Sequence, residues 1–370
     1  MKSEVYFIKG FDKKSEEKFL KTLKSEISRV FKPNETIAIK MHMGDKGNYN
    51  NIQPEFVSKI IQVFKELKIN CFIFDSPTAY KRLRHTEEDY LKFAESRGFT
   101  KISKVIISNK GIKKKGKYQD YEICEPLIKA DGVLVLSHVK GHECSGFGAS
   151  IKNLGMGALT KKSKGNIHSG GKPIFDPKKC AECKTCEKVC PTKNISCEKG
   201  KPEFGKTECF GCSICVFNCP QKAIKPKLEL FDKLLADGGI TAAKSFKKYY
   251  CINVLRKIVK FCDCCEDGGP EIAKDLGILL SKDIIAIDKA ALDLITKNEG
   301  KNVFEEVHHK SPMIHIQEAH DLCGGSLEYD FKEGIPNQGK LLEKTRDFVK
   351  EKNIKEGDVE ETIKKARKKR

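Results

Sequence analysis

Residues Cys180–Pro220 read CAECKTCEKVCPTKNISCEKGKPEFGKTECFGCSICVFNCP. The stretch carries one spacing twice: Cys180-x2-Cys183-x2-Cys186-x3-Cys190-Pro191, then Cys209-x2-Cys212-x2-Cys215-x3-Cys219-Pro220. A tight loop with cysteines at every third position sets three thiolates on three corners of one iron–sulfur cubane, and the fourth cysteine, before proline, points across to the other half. The pattern therefore predicts two [4Fe–4S] clusters, one on Cys180, Cys183, Cys186 and Cys219, the other on Cys209, Cys212, Cys215 and Cys190. Thiolate is a soft ligand suited to such centres. Zinc is the competing reading, but a zinc ribbon uses two CxxC knuckles about 15–20 residues apart. It does not use two equal quartets that each end in Cys-Pro. Cys197, between the quartets, is not expected to be a ligand.

On both sides of this stretch the sequence changes character. Before it, strand-like and helix-like runs alternate: Val5–Ile8, Lys14–Val30, Thr36–Met41, a helix from Pro54 to about Leu67, Asn70–Asp75, Thr86–Arg97, Val105–Ser108 and Gly132–Leu136. Phe19, Leu20, Leu23, Ile27 and Val30 recur at helical spacing, and Pro54 suits a first helical turn. After it, Ile278–Leu280 and Ile284–Ile287 resume the apolar pattern, with a helix expected from Ala290. Alternation of this kind predicts an α/β host domain, a mostly parallel sheet with helices on its faces. The expected organisation is residues 1–175 as the first part of the host, 176–228 as an inserted α+β cluster-binding domain, 229–336 as the completing part, and 337–370 as a charged helical tail.

The other nine of the 17 cysteines are scattered, and the N-terminus lacks an apolar signal segment. Reduced thiols in a cytoplasmic protein are the expectation. No apolar run is long enough to span a bilayer, so no membrane is expected as a partner. The net charge of +19 invites a nucleic-acid reading. The lysines are spread along the chain among 51 acids, however, and only Lys364–Arg370 is a basic run. Without a nucleic-acid-binding motif, a solvated tail is the simpler reading. Residues 176–227 hold eleven lysines and six acids, a local balance of +5. That surround suits an acidic redox partner such as a ferredoxin.

A second informative stretch, Ser137–Gly157 (SHVKGHECSGFGASIKNLGMG), follows the Gly132–Leu136 strand. Ligands of open α/β sheets sit at the carboxyl ends of strands. Gly146 and Gly148 allow close backbone approach, and His138, His142, Lys152 and, further on, His168 supply groups for an anion or a proton. Ile151 stands where a dinucleotide fingerprint needs its third glycine, which argues against a Rossmann cofactor. Lys40 joins the candidate ligand-binding residues, with a buried salt bridge as its alternative role. Cys262, Cys264 and Cys265 are read either as buried thiols or as part of a further metal site.

The cysteine segment resembles the bacterial-type two-cluster ferredoxins, which implies low-potential one-electron transfer. Nearly the whole chain resembles a prokaryotic, largely anaerobe-associated family of iron–sulfur proteins in which a domain of unknown function hosts such an insert. The resemblance is carried by Ile39–Asn48, His138–Gly157, Cys262-Asp263-Cys264 and Asp275–Ala290. A fainter resemblance is to the lactate racemase family. His142, Lys152 and His168 keep that family's intervals of ten and sixteen residues. There, such a Lys carries a nickel-pincer nucleotide and the histidines act as acid/base or metal ligand. The flanking residues differ, and no pincer cofactor is inferred. The expected function is electron transfer through two clusters to a small anionic ligand held by His142, Lys152 and His168, in an oxidoreductase or a subunit of one. The alternative is a non-catalytic electron-transfer or iron–sulfur adaptor whose host domain docks a partner.

Overall fold

The computed structural model describes residues 2–80 and 83–334. The tail expected from residue 337 lies outside them. Local signals set the helices. Asp12 accepts a hydrogen bond from Ser15 N (2.7 Å) and starts the helix Lys13–Val30, which buries Phe19, Leu23 and Ile27. Pro54 opens Pro54–Glu66. Asp283 accepts from Ile285 N and Ala286 N and starts Ile284–Glu299, which ends at Gly300 in the left-handed region. That helix begins six residues before the expected Ala290. Ile284–Ile287 is its buried first turn rather than a lead-in.

The strands form one eight-stranded sheet. From edge to edge it runs Tyr329–Glu333, Ser3–Lys9, Gly277–Ser281, Tyr249–Leu255, Gly132–His138, Thr36–Lys40, Asn70–Asp75 and Val105–Ile107. Every neighbouring pair is parallel except the two made by Gly277–Ser281. Alternate residues feed two cores. Ile37, Ile39, Leu134, Leu136 and Ile252 face the helices Lys13–Val30 and Pro54–Glu66. Ala38, Val133, Val135 and Cys251 face the opposite side, with Leu154, Leu235 and Ile285. Strands buried on both faces explain the unbroken apolar run at Gly132–Leu136.

The cysteine-rich segment is closed at its base by Pro173–Phe175 pairing antiparallel with Ile224–Pro226. Inside it, Ile195–Ser196 pairs with Glu203–Phe204, and Thr185–Lys188 and Ile214–Phe217 form single helical turns. Its small separate core contains Cys186, Ile195, Cys197, Cys215 and Ile224. Among the described residues no helix is long and apolar enough to cross a membrane.

Candidate functional site

Two loops meet beyond the carboxyl ends of the central strands. One is the hairpin Lys140–His142 and Gly146–Gly148, directly after Gly132–His138. The other is the turn Cys262–Cys265, closed by Cys265 N donating to Cys262 O at 2.9 Å. Asp263 fixes them together. Its buried carboxylate accepts from His138 Nδ1 (2.9 Å) and Lys140 Nζ (2.8 Å). Burial alone would raise the Asp263 pKa, but these two partners hold it well below the ordinary carboxylate value. The other His138 ring nitrogen faces Arg256 O at 2.7 Å. His138 is therefore fully engaged in structure.

Beside this brace, Lys152 Nζ donates to Cys262 Sγ at 2.8 Å. Burial would lower the lysine's pKa, yet the facing Cys262 and Cys264 thiols raise it above the usual value. His142 Nδ1 accepts from Ser145 N (3.2 Å) and Cys144 N (3.3 Å), while the Ser145 hydroxyl donates to Phe147 O, which leaves Nε2 to carry the proton toward Cys262. Burial, then the Lys152 charge, push His142 down to about 3. The imidazole is thus neutral, and the near-neutral titration that would suit proton transfer is lost. Cys264 N donates to Cys262 Sγ at 3.4 Å, and the Cys264 thiol interacts with both the Cys262 and Cys265 thiols. Cys265 Sγ instead donates to Glu143 Oε1 at 3.0 Å.

His168 does not join Cys262. Its Nδ1 bonds Phe210 O of the cysteine segment at 2.7 Å, and its ring packs on Phe231 at 5.1 Å. His142 packs near the same phenylalanine at 6.4 Å, so the two histidines share Phe231, and burial, with the Lys152 charge added, lowers the pKa of both. Gly148 lies against the Lys152 stem, while Gly146 takes φ +71 at the end of the hairpin. Lys40 is in a buried ion pair with Asp75 (3.0 Å), and it also donates to Asn153 Oδ1 (2.7 Å). Tyr90 OH donates to Asp75 at 2.5 Å. This is the salt-bridge role, and burial lowers the Lys40 pKa.

The cysteine segment docks next to this cluster. Lys310, fully buried, pairs with Asp232 and donates to Cys212 O (2.6 Å) and Cys144 O (2.9 Å), bridging the segment to the hairpin. Gly211 lies so close to His168 that an added Cβ would stand 1.8 Å from the His168 carbonyl oxygen. Ser213 Oγ donates to Gly171 O at 2.9 Å. All eight motif cysteines are free thiols. Cys180, Cys183, Cys186 and Cys219 line one cavity, together with Cys197. Cys190, Cys209 and Cys212 act electrostatically on Cys215. Among the described residues no three His, Cys, Asp or Glu groups are arranged to hold a single metal ion.

Sequence reasoning missed Asp263, Lys310 and Asp232 as organisers of the site. Asp263 lies inside the Cys262–Cys264 motif and was legible as part of it. Lys310 and Asp232 carry no spacing signal. A separate cleft of about 320 Å³ is lined by Tyr49, Asn50, Lys59, His138, Arg256 and Lys257. It opens at the same end of the sheet.

The fold and site define an α/β protein with a buried lysine–thiol cluster beside a cysteine-rich docked segment. A family model described as a domain of unknown function, DUF362, matches residues 37–293, and the chain belongs to this family. No curated protein matches the chain. Among solved structures, a Thermotoga maritima protein solved as a structural-genomics target is 9% identical, with a TM-score of 0.45. That match covers 77% of this chain and 59% of the other. The lactate racemase apoprotein from Thermoanaerobacterium thermosaccharolyticum is 13% identical, with a TM-score of 0.31, covering 64% of this chain and 44% of that one. The chain thus spans less than two thirds of the length of either. Neither likeness is strong enough to carry an argument about function.

Proposed function

We propose that this protein is an iron–sulfur electron-transfer protein, an oxidoreductase or a subunit of one. In this reading residues 176–228 hold two [4Fe–4S] clusters, on Cys180, Cys183, Cys186 and Cys219 and on Cys209, Cys212, Cys215 and Cys190. The observation that carries the reading is the first quartet, four free thiols from both halves of the motif lining one cavity. The sequence spacing favours clusters over zinc, because a zinc ribbon uses two CxxC knuckles about 15–20 residues apart rather than two equal quartets that each end in Cys-Pro.

When bound, the clusters supply one-electron chemistry. The chain's own residues direct it. Lys310 ties the Cys212 loop to Cys144, two residues from His142, so the second quartet adjoins the host cluster. Lys152 supplies fixed positive charge, and His142 supplies a neutral N–H rather than a titrating base. Around the first quartet, Lys178, Lys179, Lys184, Lys188 and Lys199 are exposed, as are Cys183, Glu182 and Glu198. That rim, basic on balance, suits an acidic redox partner. Anaerobically purified protein should contain about eight iron and eight acid-labile sulfide per chain, and Cys219→Ala about half of each. Two zinc ions and no sulfide per chain would refute the assignment.

A further inference from the structure

Three thiols, a lysine and a histidine converge at the Cys262–Cys265 turn, outside the eight cysteines already assigned. We propose that Cys262 and Cys264 form a redox-active dithiol–disulfide pair, a two-electron centre in the host domain that reacts with a disulfide substrate. The source of its electrons rests on the cluster reading above. The pair itself does not.

The geometry separates the three cysteines. Within the turn closed from Cys265 N to Cys262 O, Cys264 N stands 3.4 Å from Cys262 Sγ, so the Cys262 sulfur lies against the residue whose thiol it would bond. The Cys264 thiol interacts with both the Cys262 and Cys265 thiols, but Cys265 Sγ donates to Glu143 Oε1 at 3.0 Å while Cys264 N donates to Cys262 Sγ. Cys262 is fully buried, and around its sulfur stand Lys152 Nζ, Cys264 N and the His142 ring. Burial pushes the Cys262 thiol up to about 12 and these donors offset only part of that, so the pair rests as a dithiol, with the Cys262 sulfur already supplied with donors for the moment the proton leaves. Cys264 is only half-buried. An accessible thiol beside a buried, donor-supported one is the division of labour that thiol–disulfide exchange uses.

The chemistry balances. The Cys264 thiolate attacks an external disulfide, forming a Cys264–substrate S–S bond and breaking the substrate's own. The first thiolate leaves and takes up a proton. Cys262 then attacks Cys264 sulfur, forming the Cys262–Cys264 bond and releasing the second thiolate, which is also protonated. The net change is two protein thiols and one disulfide giving one protein disulfide and two product thiols. Resetting the pair needs two electrons and two protons. A low-potential one-electron donor, such as the pair of reduced clusters, supplies the electrons singly, and Lys152 and water supply the protons. Lys310, bridging Cys212 and Cys144, makes the route to His142 and Cys262 continuous.

The test uses the full chain, purified anaerobically and treated with oxidised glutathione. After acid quenching and alkylation with iodoacetamide, the tryptic peptide Phe261–Lys274 is weighed. It should carry three alkyl groups before treatment and one after, on Cys265. Cleavage before Asp263 should then leave the two halves linked in the wild type and in Cys265→Ser, but not in Cys264→Ser. Titration of the treated, desalted protein with titanium(III) citrate should consume about four electrons per chain, and about two in Cys264→Ser at equal iron content. Three alkyl groups under all conditions, a link through Cys265, or equal electron counts would each overturn the pair. A disulfide that forms in protein lacking iron and sulfide would leave the pair standing and sink the cluster reading instead.

Discussion

Replacing Lys40 by Met isolates a deeply enclosed charge pair near the site. Lys40 and Asp75 are 1% and 3% exposed at their side chains, with 3.0 Å between them. Methionine keeps the length and fills the space, but it removes the charge and the hydrogen bond to Asn153. Asp75 keeps Tyr90 OH and Ser76 N as donors, and among the described residues Lys164 is a second cation that acts on it. Breaking a buried pair from one side costs about 3–5 kcal/mol. With a urea dependence of about 3 kcal/mol per molar, the midpoint should fall by about 1–1.7 M. Urea unfolding followed by circular dichroism measures this, with iron content checked in parallel. Lys40→Met combined with Asp75→Leu should recover part of the loss, because no uncompensated charge then remains. If Lys40→Met unfolds within about 0.5 kcal/mol of the wild type, the residue is not structural, and its role as a ligand-binding lysine returns.

Two further expectations follow from burial and close packing. A Cβ at Gly141 would stand 2.0 Å from Lys260 O and 2.8 Å from His308 Nε2. Gly141→Ala should therefore destabilise by about 3 kcal/mol or more. Gly165→Ala, where an added Cβ meets nothing within 4 Å, should be neutral or stabilising by up to about 1 kcal/mol. Equal denaturation midpoints for the two variants would contradict the packing. His142 is held at about 3, against about 6.5 when unfolded, so between these values the unfolded chain binds the proton and the fold does not. Stability should fall as pH drops through that window, by up to about 1.4 kcal/mol per pH unit. Melting temperatures from pH 7.5 to 5 should show a shallower acid slope in His142→Gln, and an unchanged slope would refute the assignment.

Much of the sheet was legible because its strands are buried on both faces and so stand out as apolar runs. Thr36–Lys40, Asn70–Asp75 and Gly132–His138 were found within two residues. The antiparallel insertion of Gly277–Ser281 was not, since apolar content does not encode strand direction. At the site, the density of His, Lys and Gly in Ser137–Gly157 pointed to the right loop. It did not reveal what those side chains meet. Lys152 bonds a thiol 110 positions away, and a pairing of that kind leaves no local trace. His168 kept a suggestive interval from Lys152, but nothing in the sequence signals that its ring shares Phe231, from a helix far along the chain, with His142.

The outer edge of the sheet has a consequence for how the chain is made. Ser3–Lys9 lies between Gly277–Ser281 and Tyr329–Glu333, so its first partner arrives about 270 residues after it does. At about 5–20 residues per second, that strand waits roughly 15–55 s on the ribosome with both edges open. Unpaired strand edges invite association with other chains. All eight motif cysteines emerge within the same interval, before either partner strand exists. The nascent chain must therefore shelter an open β-strand and a set of free thiols at once, which makes its synthesis, more than its finished fold, the stage most exposed to oxygen and to aggregation.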